Sequence, residues 1–139
     1  MATIVAPQRG AETKGFEQER PFTPGTVWSV QFFRVKAGFD MEYGRQLAET
    51  WRKIMDEQKQ QGLVVSYKIF TNMPKDREDF THMLMIEFPN WAALDQLDKF
   101  DAGVRKIHTS LADMAETMRK REEIREAIGS RLVREVHFK

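Results

Sequence analysis

Glu135 and His137 stand two residues apart in the stretch R-L-V-R-E-V-H-F, a spacing that puts both side chains on one face of an extended strand. Glu87 closes another alternating run, H-M-L-M-I-E-F, in phase with Met83 and Met85. Two carboxylates and an imidazole on a shared face could move a proton or hold a divalent cation. Histidine titrates near neutrality, and a carboxyl group withdrawn from water keeps its proton to higher pH. Glu87 and His137 are therefore the catalytic candidates, and no metal is expected. A plainer reading of the same residues pairs Glu87 or Glu135 with Lys68 or Arg134 and leaves His137 facing solvent. His82 reads as solvent-facing at the start of its strand, and His108 as a helix-surface histidine beside Ile107 and Leu111. Cysteine is absent, which removes thiolate nucleophiles, disulfides and Cys-ligated metals. Gly-rich phosphate loops and Ser-His-Asp orders are missing too.

These groups need elements to hold them. Residues 27–36, V-W-S-V-Q-F-F-R-V-K, read as the first strand, with Trp28, Val30, Phe32 and Arg34 on one face and Ser29, Gln31, Phe33 and Val35 on the other. Asp40 can cap a helix whose apolar positions Tyr43, Leu47, Trp51, Ile54 and Met55 form one stripe, ending at Gly62. L-V-V-S-Y-K-I-F-T over 63–71 gives a second strand, a charged loop follows over 72–81, and 82–88 is the third strand. Asn90 caps a short helix. A longer one carries Val104, Ile107, Leu111, Met114 and Met118 and stops at Gly129, before a last strand over 131–138.

Strand, helix, strand, strand, helix, strand is the split βαβ order of an α+β, ferredoxin-like domain, with two helices over one face of a four-stranded antiparallel sheet. Val30, Phe32, Val65, Ile69, Leu84, Ile86 and Val136 are the expected floor beneath the helices. The opposite face then carries Gln31, Phe33, Lys68, Phe70, Met83, Met85 and Glu135 as ligand-binding candidates beside Glu87 and His137. Such a mixture is too apolar to leave in water and too polar for a core. A partner or a small apolar ligand is expected to cover it.

Lys+Arg 22 against Asp+Glu 21 leaves +1, so no overall field steers the chain toward nucleic acid. No segment has the length of a membrane span. The compartment stays open: cytoplasm is the default, and export follows if a leader has been removed. Residues 1–25 are polar, rich in Gly and Pro, and read as an extended arm before a domain over 26–139; Phe16 and Phe22 are its unexpected aromatics.

The element order, the F-P-N-W-A-A-L-D-Q-L-D-K-F stretch and the returning R-L-V-R-E-V-H-F strand resemble the dimeric α+β barrel superfamily. That group includes antibiotic-biosynthesis-type monooxygenases and haem-degrading monooxygenases. The segments P-F-T-P-G-T-V-W-S-V, Q-G-L-V-V-S-Y-K and R-E-E-I-R-E-A-I-G-S-R-L-V-R-E are similar to uncharacterised bacterial members. The resemblance implies a homodimer whose uncovered sheets face each other around a pocket. It also implies, as a first guess at activity, cofactor-independent oxygenation of a small aromatic or apolar compound, with a non-catalytic dimeric binding or assembly module as the alternative. The haem-degrading members carry a tryptophan and, further on, a haem-ligating histidine in the second helical region. Here Phe100 stands near the tryptophan's place and His108 is offset, so no cofactor is expected, and a haem-binding or haem-degrading protein is the weaker alternative.

Overall fold

A computed structural model describes residues 19–139 of the chain. Strand β1 spans Phe22–Val35. Helix α1 is continuous from Asp40 to Gln60 but changes pitch inside: α-helical over Asp40–Gln46, π-helical over Leu47–Trp51, and α-helical again over Arg52–Gln60. Strands β2 (Ser66–Thr71) and β3 (His82–Phe88) follow. A 3-10 turn at Trp91–Asp95 leads into helices α2 (Leu97–Ile107) and α3 (Leu111–Ile124), and β4 closes the domain over Arg125–Phe138. The sheet order is β2-β3-β1-β4, and each neighbouring pair is antiparallel. No helix among the described residues is long and apolar enough to cross a membrane.

Local chemistry explains most boundaries. Gly62 takes φ +77 just past α1, where a side chain would be strained. Asn90 accepts from the Ala93 amide at 3.1 Å, capping the turn as its type predicts. Asp40 opens α1 as its first helical residue but makes no side-chain cap. The expected long second helix is interrupted: His108 has an extended backbone, and Ser110 starts α3 afresh by accepting from Asp113 N at 3.0 Å.

Two boundaries differ from the sequence expectation for the same reason, the pairing of β1 with β4. β1 begins at Phe22, earlier than Val27, because residues 22–24 extend past β3 and pair with β4 alone. There Pro24 interrupts no central ladder, and a register shift between Pro24 and Val27 absorbs the irregularity. Residues 1–18 of the expected arm, Phe16 among them, lie outside the described residues. At the other end the helix stops at Ile124 rather than Gly129. Lys36 N donates to Ile124 O at 2.8 Å and Arg125 is already paired with Val35, so residues 125–130 belong to β4.

Cross-strand partners share a face, which fixes the two sides of the sheet. Val27, Ser29, Gln31 and Phe33 lie opposite Phe88, Ile86, Leu84 and His82, beneath the helices. Trp28, Val30 and Phe32 lie opposite Glu87, Met85 and Met83 on the uncovered side. The expected assignment of β1 is thus reversed. Val30 and Phe32 leave the predicted floor, and Gln31 and Phe33 leave the predicted open face. The core is built by Phe33, Val35, Tyr43, Leu47, Trp51 and Leu84, with Met55, Ile86 and Ile124 against them. Phe33 is held there by Arg125, whose guanidinium lies 3.8 Å above its ring and donates to the Tyr43 hydroxyl at 3.0 Å.

Val65 and Val136 are 46% and 53% exposed and do not join the core, and Ile69, on the expected side opposite Leu84, stays 42% exposed because β2 is an edge strand. The cause for Val136 is that α3 buries only Arg121 and Ile124, both near its C-terminus, so Leu132 and Val136 further along β4 stay uncovered among the described residues.

Candidate functional site

The uncovered face is a grid of cross-strand rows. Ser66, Glu87, Trp28 and Val133 form one row; Lys68, Met85, Val30 and Arg131 the next; Phe70, Met83, Phe32 and Gly129 the third. Strand alternation beyond Val133 puts Glu135 and His137 on the same side. Of the residues nominated from the sequence, Glu87, Lys68, Phe70, Met83, Met85, Glu135 and His137 share this face. Gln31 and Phe33 do not: both point under the helices, and Phe33 is a core residue.

Trp28, which the spacing assigned to the other side, is the centre of the polar end. It is only 7% exposed although no helix covers it. Its indole Nε1 donates to Glu135 Oε1 at 3.0 Å, and Lys68 Nζ lies 5.3 Å from the ring centroid. Glu135 Oε2 in turn sits 3.1 Å from His137 Nε2. Beside this chain, Glu87 accepts from Thr26 Oγ1 at 2.6 Å and from Ser66 Oγ at 2.5 Å. Gly25 lets the two clusters meet, since a Cβ there would stand 2.7 Å from His137 Nε2 and 2.9 Å from Glu135 O. Two carboxylates, an imidazole, a lysine and two hydroxyls therefore gather at one end.

The other end is apolar. Phe32 packs edge-on against Phe80 with centroids 5.0 Å apart, and Phe70 is 46% exposed beside Met83. A surface that is charged at one end and aromatic at the other suits an organic molecule with one polar group. Within the polar end, both Glu87 oxygens are already engaged by hydroxyls, which makes Glu87 an anchor. His137 is held by Glu135 alone among the described side chains and is about half exposed.

The remaining histidines are structural in this chain. His82, expected in solvent, is 8% exposed under α1 because it pairs with Phe33 on the helix side. Its ring meets Tyr43 edge-on at 5.1 Å, and Nδ1 lies 2.8 Å from Thr81 Oγ1. Burial lowers its pKa, partly opposed by Asp40. His108 closes α2 and places Nδ1 2.9 Å from Asp113 Oδ2, so it is a buried cap rather than a surface residue. Tyr67 is pushed up to about 12, by burial first and then by its hydrogen bond to Asp56. Among the described residues no three His, Asp or Glu side chains are grouped to hold a metal.

No protein-family model and no curated protein matches the sequence. Two solved structures are similar in shape. One is a dimeric ferredoxin-like protein from an uncultured marine organism, 10% identical, with a TM-score of 0.51 over 83% of this chain and 90% of that one. The other is a dimeric protein of unknown function and ferredoxin-like fold from Bacteroides fragilis, 14% identical, with a TM-score of 0.39 over 82% of this chain and 97% of that one. At such identities a likeness speaks for the fold alone, and with the strand order and pairing above it makes this chain an α+β protein of ferredoxin-like fold.

Proposed function

We propose that two copies of the chain pack with their uncovered sheet faces toward each other, as a dimeric α+β barrel, and enclose a pocket for a small, largely apolar organic molecule. The observation that carries this reading is the Trp28 cluster. A tryptophan, two carboxylates, an imidazole and a lysine are organised on a sheet face that also offers Phe32, Phe70, Met83 and Met85. Leaving that apolar area in water is unfavourable by about 25 cal/mol per Å². The marine protein of similar fold is described as dimeric, which supports a dimer here.

In this pocket Phe32, Phe70 and the methionines hold the apolar body, and Lys68, Glu87, Glu135 and His137 orient its polar group. The catalytic form of the reading is cofactor-independent oxygenation. His137 takes a proton from an activated CH₂, the carbanion reduces O₂, and the carbon becomes C=O while the second oxygen atom leaves as water. The Glu135 carboxylate steadies the imidazolium that forms.

A thermal-shift screen of small aromatic and aliphatic compounds against the wild type, Glu87→Leu and His137→Leu tests the pocket. Compounds should stabilise the wild type and lose that effect in both variants. If the variants are more stable and no compound discriminates them from the wild type, the face is an assembly surface without a ligand.

A further inference from the structure

On the other side of the sheet, between α1 and the edge strand β2, lies a groove of about 570 Å³ that the open-face reading does not use. Its walls are Met41, Leu47, Ala48 and Trp51 from the helix and Tyr67 and Ile69 from the strand. We propose that this groove binds an extended peptide. The peptide adds to β2 as an antiparallel strand, places alternate apolar side chains in the groove, and lies with its N-terminal end at Asp40 and an acidic C-terminal end at Arg52.

The first support is the edge itself. β2 pairs with β3 on one side and is terminal in the sheet, so its outer backbone groups are available to a further strand. The second is the helix wall. Gly44 lies inside α1 and lines the groove, yet a Cβ there would meet nothing within 4 Å. Glycine costs a helix stability relative to alanine, and no packing within the chain asks for it here. An incoming chain that must pass close to the helix does. The π-helical turn Leu47–Trp51 supplies three of the wall residues, and such turns are frequent at binding sites.

Charge fixes the direction. Asp40 lines the groove at the Thr71 and His82 end, Arg52 at the Tyr67 end, and neither has an ion-pair partner among the described residues. Asp56 is close to Arg52 but is turned to the Tyr67 hydroxyl at 2.7 Å. Asp40 and Arg52 are separated by about 18 Å at 1.5 Å per helical residue. That is the length of about five or six strand residues, and β2 itself has 6. A strand antiparallel to β2 starts beside Thr71 and ends beside Ser66, so its amino end meets the carboxylate and its acidic end the guanidinium. A parallel strand would reverse both contacts.

The test uses fluorescence anisotropy of the labelled peptide Lys-Thr-Val-Thr-Val-Thr-Glu, whose charged ends share a face with its valines, with the full chain. It should bind about ten-fold more tightly than the charge-swapped Glu-Thr-Val-Thr-Val-Thr-Lys. N-methylation of its alternate amides should abolish binding. Gly44→Leu, which enters open space, should lose binding with its melting temperature retained. Should that variant fold poorly, the double exchange Asp40→Lys with Arg52→Glu should invert the preference between the two peptides. No binding by either peptide, or equal affinity of the two, overturns the proposal. Undiminished binding of the N-methylated peptide would make the groove a hollow for small apolar molecules, and dissociation of a dimer by Gly44→Leu would give it to a second copy; each also overturns it.

Discussion

Trp28 and Glu135, 107 residues apart in the chain, are joined by a hydrogen bond of 3.0 Å from the indole Nε1 to Oε1. The bond ties the middle of β1 to the end of β4 and sets the carboxylate that faces His137. Trp28→Phe keeps a ring over Lys68 and removes the donor. It should cost about 1–2 kcal/mol, toward the lower end for a hydrogen bond to a charged group because Glu135 is partly exposed. Urea denaturation at pH 7 measures it, and a loss below a few tenths of a kcal/mol would deny the bond its role.

Phe32 and Phe33 are neighbours in sequence and lie on opposite faces of the sheet. Phe33→Ala opens the core under Arg125 and Tyr43 and should destabilise the chain by about 3–5 kcal/mol. Phe32→Ala should cost the isolated fold clearly less and act chiefly on association. Equal losses would mean that the two faces are wrongly distinguished.

Gly25→Ala places a methyl group where His137 Nε2 and the Glu135 carbonyl oxygen now lie. His137 must swing aside, so its pairing with Glu135 should be lost, at a cost of about 1–2 kcal/mol. The His137 ring chemical shifts of wild type and variant at one pH would show it; unchanged shifts would refute the contact.

His82 gives a pH dependence of defined sign. Its folded-state pKa is lowered by burial, so below about 6.5, the ordinary value, the unfolded chain binds more protons than the folded one. Stability is therefore complete above that pH and falls as the medium is acidified through it, by at most about 1.4 kcal/mol per pH unit for one group. His82→Gln should flatten the stability profile below about pH 6.5. A profile as steep as that of the wild type would place the titration elsewhere.

Much of this architecture is legible in the residues. The stripe Tyr43, Leu47, Trp51 and Met55 is buried as its spacing implies, and the alternation of Leu84 and Ile86 against Met83, Met85 and Glu87 gives β3 its faces correctly. β1 defeated the same method because both of its phases are apolar. Trp28, Val30 and Phe32 look like a core face beside Ser29, Gln31 and Phe33, and a single-residue error in phase exchanges every side chain. The information that decides it is non-local: Phe33 faces Tyr43 and Arg125, while Trp28 faces Glu135. For that reason Glu87, Glu135, His137 and Lys68 share the uncovered face as expected, while Gln31 and Phe33 leave it and Trp28 joins it. β4 was shortened for a related reason. Its first residues, R-E-A-I-G-S, continue a charged helical pattern, and only pairing with β1 makes them a strand.

The central claim is that a second copy covers the Trp28 face, and the direct measurement is sedimentation velocity of the full chain at micromolar concentration beside Met85→Lys, which puts a charge in the middle row of that face. The wild type should sediment as a dimer and the variant as a folded monomer. A monomeric wild type, or a variant that dimerises as tightly as the wild type, would contradict it.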